Sequence, residues 1–299
     1  MYNQNTKYYM NYPKMILFEI TTRCNLSCTY CSARSLLKTP SDLSIDKIEE
    51  LVKKLEGFSH VCFSGLGEPF VHRNFYEVLG LFQGKKLIVV TNGSVPIDYE
   101  RLMQFGNIDA ISFSIDGGSE SDMKRVCSSY RFDVLLKNLE NSVKYNVNAT
   151  INTTLIEENI ESLDGLAELA REYKIKKLKI GFPLGKSKWL VKRADDIRGV
   201  LSTLKQEITG AGIEFEGPLA VKCIFDEAPI ALMLKNGNIY PCCDYFCGRP
   251  LVGNVLNQDF ETMWKKDSYH RFRSGKYCTK CSQYHNNAQI VPIFEKDEA

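Results

Sequence analysis

Short apolar runs alternate with longer amphipathic stretches over residues 15–182, and this alternation constrains the fold more than any other feature of the chain. Six runs fit strands: Met15–Ile20, His60–Ser64, Leu87–Thr91, Ala110–Ile115, Ala149–Thr154 and Leu178–Phe182. Five intervening stretches fit helices: Ile45–Leu55, Phe75–Phe82, Tyr99–Phe105, Val134–Tyr145 and Ile160–Tyr173. Strands that alternate with helices at this interval predict βαβ units and a parallel sheet.

Three cysteines, Cys24, Cys28 and Cys31, follow the first predicted strand in the string CNLSCTYC. Three thiolates are one fewer than an iron–sulfur cluster ordinarily takes. An open iron binds an exchangeable group, as the open position of a catalytic zinc does. A zinc knuckle is the weaker alternative, because such sites usually need two close pairs of ligands. A disulfide is also disfavoured, because no secretory signal precedes the cysteines.

Further motifs follow the next three predicted strands. Gly65-Leu66-Gly67-Glu68-Pro69 follows the second strand, Thr91-Asn92-Gly93 ends the third, and Ser114-Ile115-Asp116-Gly117 ends the fourth. Any one of these is ordinary loop composition by itself. In parallel barrels, however, the chemistry lies at the carboxyl ends of the strands, and all of these motifs lie there.

The cysteine spacing and these motifs together resemble the radical S-adenosylmethionine (SAM) enzymes, over about residues 15 to 285. The resemblance implies an α/β fold with a partial (β/α)6 TIM barrel. It implies a 4Fe–4S cluster on Cys24, Cys28 and Cys31 whose open iron binds SAM. An external electron donor such as flavodoxin or ferredoxin would then allow reductive cleavage of SAM to a 5′-deoxyadenosyl radical, which abstracts hydrogen from a substrate.

The resemblance also implies the residues that bind SAM. Gly65 and Gly67 resemble the strip that lies against the methionine part, where the absence of a Cβ permits close approach. Glu68 would bind the methionine ammonium in a charge-assisted contact. Three polar residues correspond to positions that bind the ribose or the adenine in relatives: Asn92, Ser114 and Asp116.

Two further residues carry two interpretations each. Tyr30 would pack on the adenine, or it is an aromatic side chain that covers the loop. Arg125 would lie near the SAM carboxylate or the substrate, or it is a solvated surface arginine.

Beyond residue 182, four cysteines predict a second metal site. Ala194–Ile208 fits a crossover helix, Ile230–Leu234 and Asn238–Tyr240 flank an Asn-Gly hairpin turn, and Phe260–Phe272 fits a helix. The spacing of Cys223, Cys242, Cys278 and Cys281 around these elements resembles the twitch module, a shortened SPASM domain with one auxiliary 4Fe–4S cluster. A zinc site is the alternative. His285, three residues after the last CxxC cysteine, is a further ligand candidate or a surface histidine.

The predicted organisation has five parts. These are an N-terminal extension (1–14), a radical SAM core (15–182), a linker with a crossover helix (183–222), a twitch domain with a hairpin and a helix (223–285) and a C-terminal tail (286–299).

The other cysteines are Cys62, Cys127, Cys243 and Cys247. Cys62 fits a core position in a strand that is buried on both faces. Cys127 and Cys243 are candidate catalytic donors of a hydrogen atom to a substrate radical, as in some related epimerases, with plain packing as the alternative.

An auxiliary cluster is suited to accept an electron, so the first expectation is dehydrogenation of a small polar substrate such as a sugar or aminocyclitol. Lys179, Lys186 and Arg193 are candidate bases or anchors. The alternatives are a ribosomal-peptide maturase, a sugar epimerase and a non-catalytic scaffold. Because about fourteen residues precede the first strand, too few for a peptide-recognition domain, the maturase comes second.

Composition limits the partners. Lys and Arg number 38 against 36 Asp and Glu, a net charge of +2 without a nucleic-acid footprint. No apolar run has membrane-spanning length. Eleven cysteines without a secretory signal indicate metal binding in a reducing cytoplasm.

Overall fold

The computed structural model describes residues 13–55, 57–185, 187–218, 230–243, 251–266, 281 and 286. In these ranges ten strands form one sheet: β1 Met15–Phe18, β2 His60–Phe63, β3 Lys86–Thr91, β4 Ile108–Ser114, β5 Ala149–Thr154, β6 Lys177–Gly181, β7 Glu214–Glu216, β8 Ile230–Met233, β9 Asn238–Tyr240 and β10 Gly253–Asn254. All six strands predicted for the core are present, so the predicted α/β class is confirmed.

Ten helices lie in the same ranges: α1 Ala33–Leu36, α2 Ile45–Val52, α3 Phe75–Gly80, α4 Tyr99–Met103, α5 Glu120–Val126, α6 Phe132–Lys144, α7 Asp164–Glu172, α8 Trp189–Lys192, α9 Ala194–Gly210 and α10 Phe260–Trp264. The predicted helix at 160–173 begins later, because a 3₁₀ segment, Glu157–Ser162, precedes α7. The end of the predicted helix at 260–272 lies outside the described residues.

The strand order is β10-β9-β8-β1-β2-β3-β4-β5-β6-β7, and every pairing from β8 through β7 is parallel. The order does not reverse between β1 and β7, so right-handed connections place the crossover helices on one face of the sheet. We call the other face the helix-free face. The arrangement is an open sheet of the partial-barrel kind.

Phenylalanines fill the space between the helices and the strands. Phe18 of β1 and Phe63 of β2 are fully buried and pack edge-on against Phe82, with ring centroids 5.8 and 5.3 Å apart. Burial of each such side chain stabilises the fold by about 1.5–3 kcal/mol. Cys62 is also buried, on the opposite face of β2, as predicted for a strand covered on both sides. This packing fixes the strand ends from which the site residues extend.

The hairpin of β8 and β9 joins the main sheet, because β8 pairs in parallel with β1, Met15 opposite Ile230. Strand β7, which follows the six predicted core strands in sequence, lies within the predicted linker and pairs in parallel with β6. Within the described ranges, every helix is too short or too polar to cross a membrane.

Candidate active site

The loop that carries the three cysteines follows β1 and is held by contacts to two other segments. Thr21 bonds Asp42 through its hydroxyl at 2.7 Å, and Thr29 N donates to Val126 O at the end of α5 at 3.0 Å. Cys31 N donates to Cys28 O at 3.2 Å, which closes a turn between the second and third cysteines. Cys24 is exposed, and Cys28 and Cys31 are half-buried.

The thiols of this loop are electrostatically coupled. The pKa of Cys24 is raised to about 11, because the surrounding loops displace much of the water around its thiol although one side of the residue stays exposed. Burial raises the pKa of Cys28 further, with added repulsion from Cys127 and Asp116. Because these surroundings disfavour the charged thiolate, the thiols ionise only beside a cation. A bound metal ion is such a cation, and it lowers the pKa of the thiols that bind it. The three thiols therefore fit an iron–sulfur cluster as ligands. Among the described residues, however, no three metal-binding side chains lie close enough together to coordinate one metal ion.

Glu68 is buried at 2% exposure in the loop after β2. Its Oε1 accepts from Phe70 N at 3.1 Å and from the Thr91 hydroxyl at 2.9 Å, and its Oε2 accepts from Asn92 N at 2.7 Å. Burial raises the pKa of this carboxyl to about 7, against these hydrogen bonds. Both oxygens thus tie the glycine-rich loop to the end of β3, a role that the sequence analysis missed.

The two glycines of the predicted strip lie against the first loop of the site. A Cβ on Gly67 would lie 2.5 Å from Thr21 O and 2.6 Å from Arg23 O. At Gly65 a Cβ would lie 2.5 Å from the side chain of Glu19, whose Oε2 accepts from Leu66 N at 2.8 Å. The absence of side chains therefore lets the β2 loop pack on the cysteine loop.

Asn92 follows β3 and contacts the cysteine loop. Its Nδ2 donates to Asn25 Oδ1 at 2.9 Å and lies 3.8 Å from Cys24 Sγ. Its Oδ1 accepts from Ser94 N at 2.7 Å, which fixes the orientation of the amide. The structure thus places Asn92 beside the first cysteine, and its contact to the ribose or the adenine of SAM stays a prediction.

Tyr30 and Asp116 form a direct link between the cysteine loop and the end of β4. The Tyr30 hydroxyl donates to Asp116 Oδ2 at 2.7 Å, and Thr154 N donates to Asp116 Oδ1 at 2.7 Å. Asp116 is buried, and burial raises its pKa to about 6. Both carboxylate oxygens are engaged inside the chain, so Asp116 positions Tyr30, a contact that the sequence did not reveal.

The other predicted residues of the core lie around this centre. Ser114 is half-buried at the end of β4. Cys127 is buried at the C-terminus of α5, with its Sγ 3.4 Å from Ser129 Oγ. Arg125 is exposed and pairs with Asp122 of its own helix at 2.5 Å, which fits the surface interpretation of this arginine.

Among the candidate bases and anchors, Lys179 pairs with Glu216 at 2.6 Å, and Arg193 pairs with Asp196 at 2.5 Å on the surface. In the C-terminal part Cys242 is buried, and Cys243 and Cys281 are half-buried. The predicted ligands Cys223 and Cys278 lie outside the described residues, as do Cys247, His285 and Lys186.

A polar cavity of about 570 Å³ adjoins the cysteine loop. Arg23, Asp42, His72 and Arg73 are among its lining residues. It contains none of the residues predicted to bind SAM, which lie on the strand ends described above.

Comparison with family models decides the affiliation. Residues 18–170, half of the chain, match the model of the radical SAM superfamily, and residues 223–283 match the SPASM iron–sulfur cluster-binding domain. The chain belongs to the radical SAM superfamily. It is a radical SAM enzyme with a SPASM domain, and its cofactors are 4Fe–4S clusters and SAM.

Relatives of this radical SAM enzyme include maturases. The mycofactocin maturase MftC of Mycobacterium tuberculosis is 26% identical over 91% of this chain and 76% of its own length. Streptococcus suis SuiB bound to S-adenosylmethionine superposes with a TM-score of 0.72 at 18% identity, over 93% of this chain and 72% of SuiB. The protein anSMEcpe, with bound AdoMet and the Cp18Cys peptide, gives a TM-score of 0.71 at 16% identity, over 96% of this chain and 98% of its own.

Proposed function

We propose that this radical SAM enzyme is a peptide maturase, which modifies a residue of a peptide substrate. The observation that carries the proposal is the similarity to MftC, because it spans both the radical SAM and the SPASM region. SuiB has been solved bound to its precursor peptide SuiA, and anSMEcpe with a peptide, so this fold accommodates such substrates. Maturation was the second expectation from the sequence.

Cys24, Cys28 and Cys31 are the proposed ligands of the first cluster, and Cys223, Cys242, Cys278 and Cys281 those of the auxiliary cluster. Bound at the first cluster and given one electron by an external donor, SAM would supply methionine and a 5′-deoxyadenosyl radical for hydrogen abstraction. Asn92 lies 3.8 Å from Cys24 and orients the cysteine loop. Glu68 and Asp116 hold the β2 loop and Tyr30, the two surfaces proposed to face the methionine and the adenine of SAM.

The chain's own residues also limit access to the site. Thr21, Thr22, Glu68 and Asp116 are buried around the cysteine loop, whereas Cys24 is exposed. The loop thus presents one open side, on which SAM and a substrate would bind. Water exclusion on the other sides protects a radical from side reactions.

Dehydrogenation of a sugar or aminocyclitol, the first expectation, stays a prediction, and the relatives favour peptide maturation over it. Cys127 and Cys243 likewise stay candidates for hydrogen-atom donation. Cys127 contacts Ser27 and Cys28 of the cysteine loop, which supports its candidacy.

The test is an anaerobic reaction of the reconstituted enzyme with SAM, dithionite and short peptides encoded beside its gene. We expect 5′-deoxyadenosine together with a peptide of altered mass. A set of small polyols and aminocyclitols serves as the competing substrate class. Oxidation of a polyol without change in any peptide would overturn the proposal.

A further inference from the structure

A row of polar side chains crosses four strands on the helix-free face. Ser114 of β4 pairs with Asn152 of β5, Asn152 pairs with Lys179 of β6, and Lys179 pairs with Glu216 of β7. The alternate residues of β6, Leu178 and Ile180, are fully buried on the opposite side. Successive strand residues face opposite sides of a sheet, so these four, the polar row, share the helix-free face.

The polar row begins beside the cysteine loop. Thr91 of β3 pairs with Phe113 of β4, so the next residues along the two strands, Asn92 and Ser114, are neighbours. Asn92 in turn contacts Cys24. Neighbouring strands lie about 4.8 Å apart, so Lys179 is about 14 Å from Asn92 across the sheet. A substrate that reaches from the cysteine loop along this face would therefore meet Lys179 at its far end.

The far end of the polar row is charged. Glu216 Oε1 lies 2.6 Å from Lys179 Nζ, and Glu216 Oε2 lies 2.6 Å from Lys177 Nζ. Lys177 also pairs with Glu214 at 2.9 Å. Burial alone would raise the pKa of Glu216. The hydrogen bonds and charges of Lys177 and Lys179 together have the larger effect and lower the pKa, so the carboxylate is ionised at neutral pH.

One carboxylate is thus shared between two ammonium groups. Lys177 has a second carboxylate, that of Glu214, whereas Lys179 has Glu216 as its one ion-pair partner in the described part of the chain. An ammonium group has three N–H donors, so Lys179 retains donors for another acceptor. It is half-buried, and a charged acceptor forms a stronger hydrogen bond with it than a hydroxyl does.

We propose that Lys179 anchors the peptide substrate by binding one of its carboxylates, while Glu216 and Lys177 hold the Lys179 side chain on the helix-free face. The inference rests on the proposed peptide-maturase function and deepens it. The carboxylate belongs to an Asp or Glu side chain or to the C-terminus of the peptide. The competing interpretation is a purely structural one, in which these cross-strand ion pairs only attach the short edge strand β7 to β6.

The experiment uses the reconstituted enzyme, SAM, dithionite and a pool of random octapeptides, half of them with an amidated C-terminus. Mass spectrometry identifies the peptides that are converted. We expect conversion to favour peptides with a carboxylate over their Asn, Gln or amidated counterparts by about tenfold to a hundredfold, the value of one hydrogen bond to a charged group. The amidated half shows whether a side chain or the C-terminus supplies the carboxylate.

Three variants separate anchoring from strand attachment. Lys179→Met should lose the preference for a carboxylate. The exchange K179E/E216K keeps an ion pair between β6 and β7 and should transfer the preference to Lys and Arg peptides. Lys137→Met, which removes an exposed lysine of α6 that pairs with Glu140, is the matched control and should keep the original preference. Thermal unfolding of each variant reports its folding.

The outcomes are distinguishable. If the enzyme converts peptides with no preference for a carboxylate, or if K179E/E216K keeps that preference, the role of Lys179 is overturned while peptide maturation remains supported. If the unsubstituted enzyme converts no peptide, the proposed function is rejected, and so is the role of Lys179 in binding a peptide.

Discussion

At the scale of single residues, Glu68 is a buried carboxylate whose ionisation opposes folding. Its pKa is about 7 in the folded chain against 4.5 in the absence of burial, so its contribution to stability is complete below pH 4.5 and is lost as the pH rises through 7. The difference corresponds to about 3 kcal/mol. We expect the thermal midpoint to fall between pH 5.5 and pH 8.

Glu68→Gln removes this titration. The variant should therefore show a smaller fall of the midpoint over the same pH range, as measured by calorimetry. The exposed Glu77→Gln on α3 is the control and should behave as the unsubstituted chain does. Equal pH dependence in Glu68→Gln and the unsubstituted chain would contradict the role of burial.

The Tyr30 to Asp116 hydrogen bond gives a second prediction at this scale. Tyr30→Phe leaves a buried carboxylate without one of its donors, so it should destabilise the fold by about 1–3 kcal/mol. In a double-mutant cycle with Asp116→Asn, measured by urea unfolding, the coupling energy should exceed about 1 kcal/mol. The exposed pair Lys137 and Glu140 should show coupling below about 0.5 kcal/mol. Additive effects of Tyr30→Phe and Asp116→Asn would show that the link is not formed.

At the scale of elements, the site depends on the close approach of the β2 loop to the β1 loop. In Gly67→Ala the new methyl group would meet two backbone carbonyls, and backbone cannot move aside as a side chain does. We expect a loss of about 1–3 kcal/mol in the free energy of unfolding, with weaker SAM binding in equilibrium dialysis.

The matched control is Gly199→Ala. Gly199 lies in α9, and a Cβ there meets nothing within 4 Å. Alanine should stabilise this exposed helical position by about 0.5–1 kcal/mol. Equal effects of the two substitutions would show that the loops do not pack as described.

Elements with a long periodic pattern were predictable from the sequence. The bounds of β5 agree with the prediction to the residue, because alternation continues through Ala149–Thr154. Strand β7 was missed because Glu-Phe-Glu is too short to show a period, and its ion-pair partners, Lys177 and Lys179, belong to another strand. The same reason applies to the site: Tyr30 and Asp116 are 86 positions apart, and only the fold brings them together.

At the scale of the whole molecule, Cys24 and Cys242 lie toward opposite ends of the strands of the sheet. The first set follows the carboxyl end of β1. Strand β8 runs parallel to β1, and β9 returns antiparallel, so Cys242, just after β9, lies toward the edge where β1 begins. Cys24 and Cys242 are therefore too far apart to bind one cluster, and we expect the first and the auxiliary cluster to assemble independently.

This separation gives a prediction about iron content. Anaerobic reconstitution of the unsubstituted chain should give about eight iron atoms and eight sulfides, since each 4Fe–4S cluster holds four of each. C24A/C28A/C31A should retain about four iron atoms and form no 5′-deoxyadenosine, because the exposed loop that would hold SAM loses its metal. C242A/C281A should also retain about four, with SAM cleavage preserved. Loss of all iron in either variant would mean that the two clusters assemble together, contrary to the positions of Cys24 and Cys242 at opposite ends of the strands.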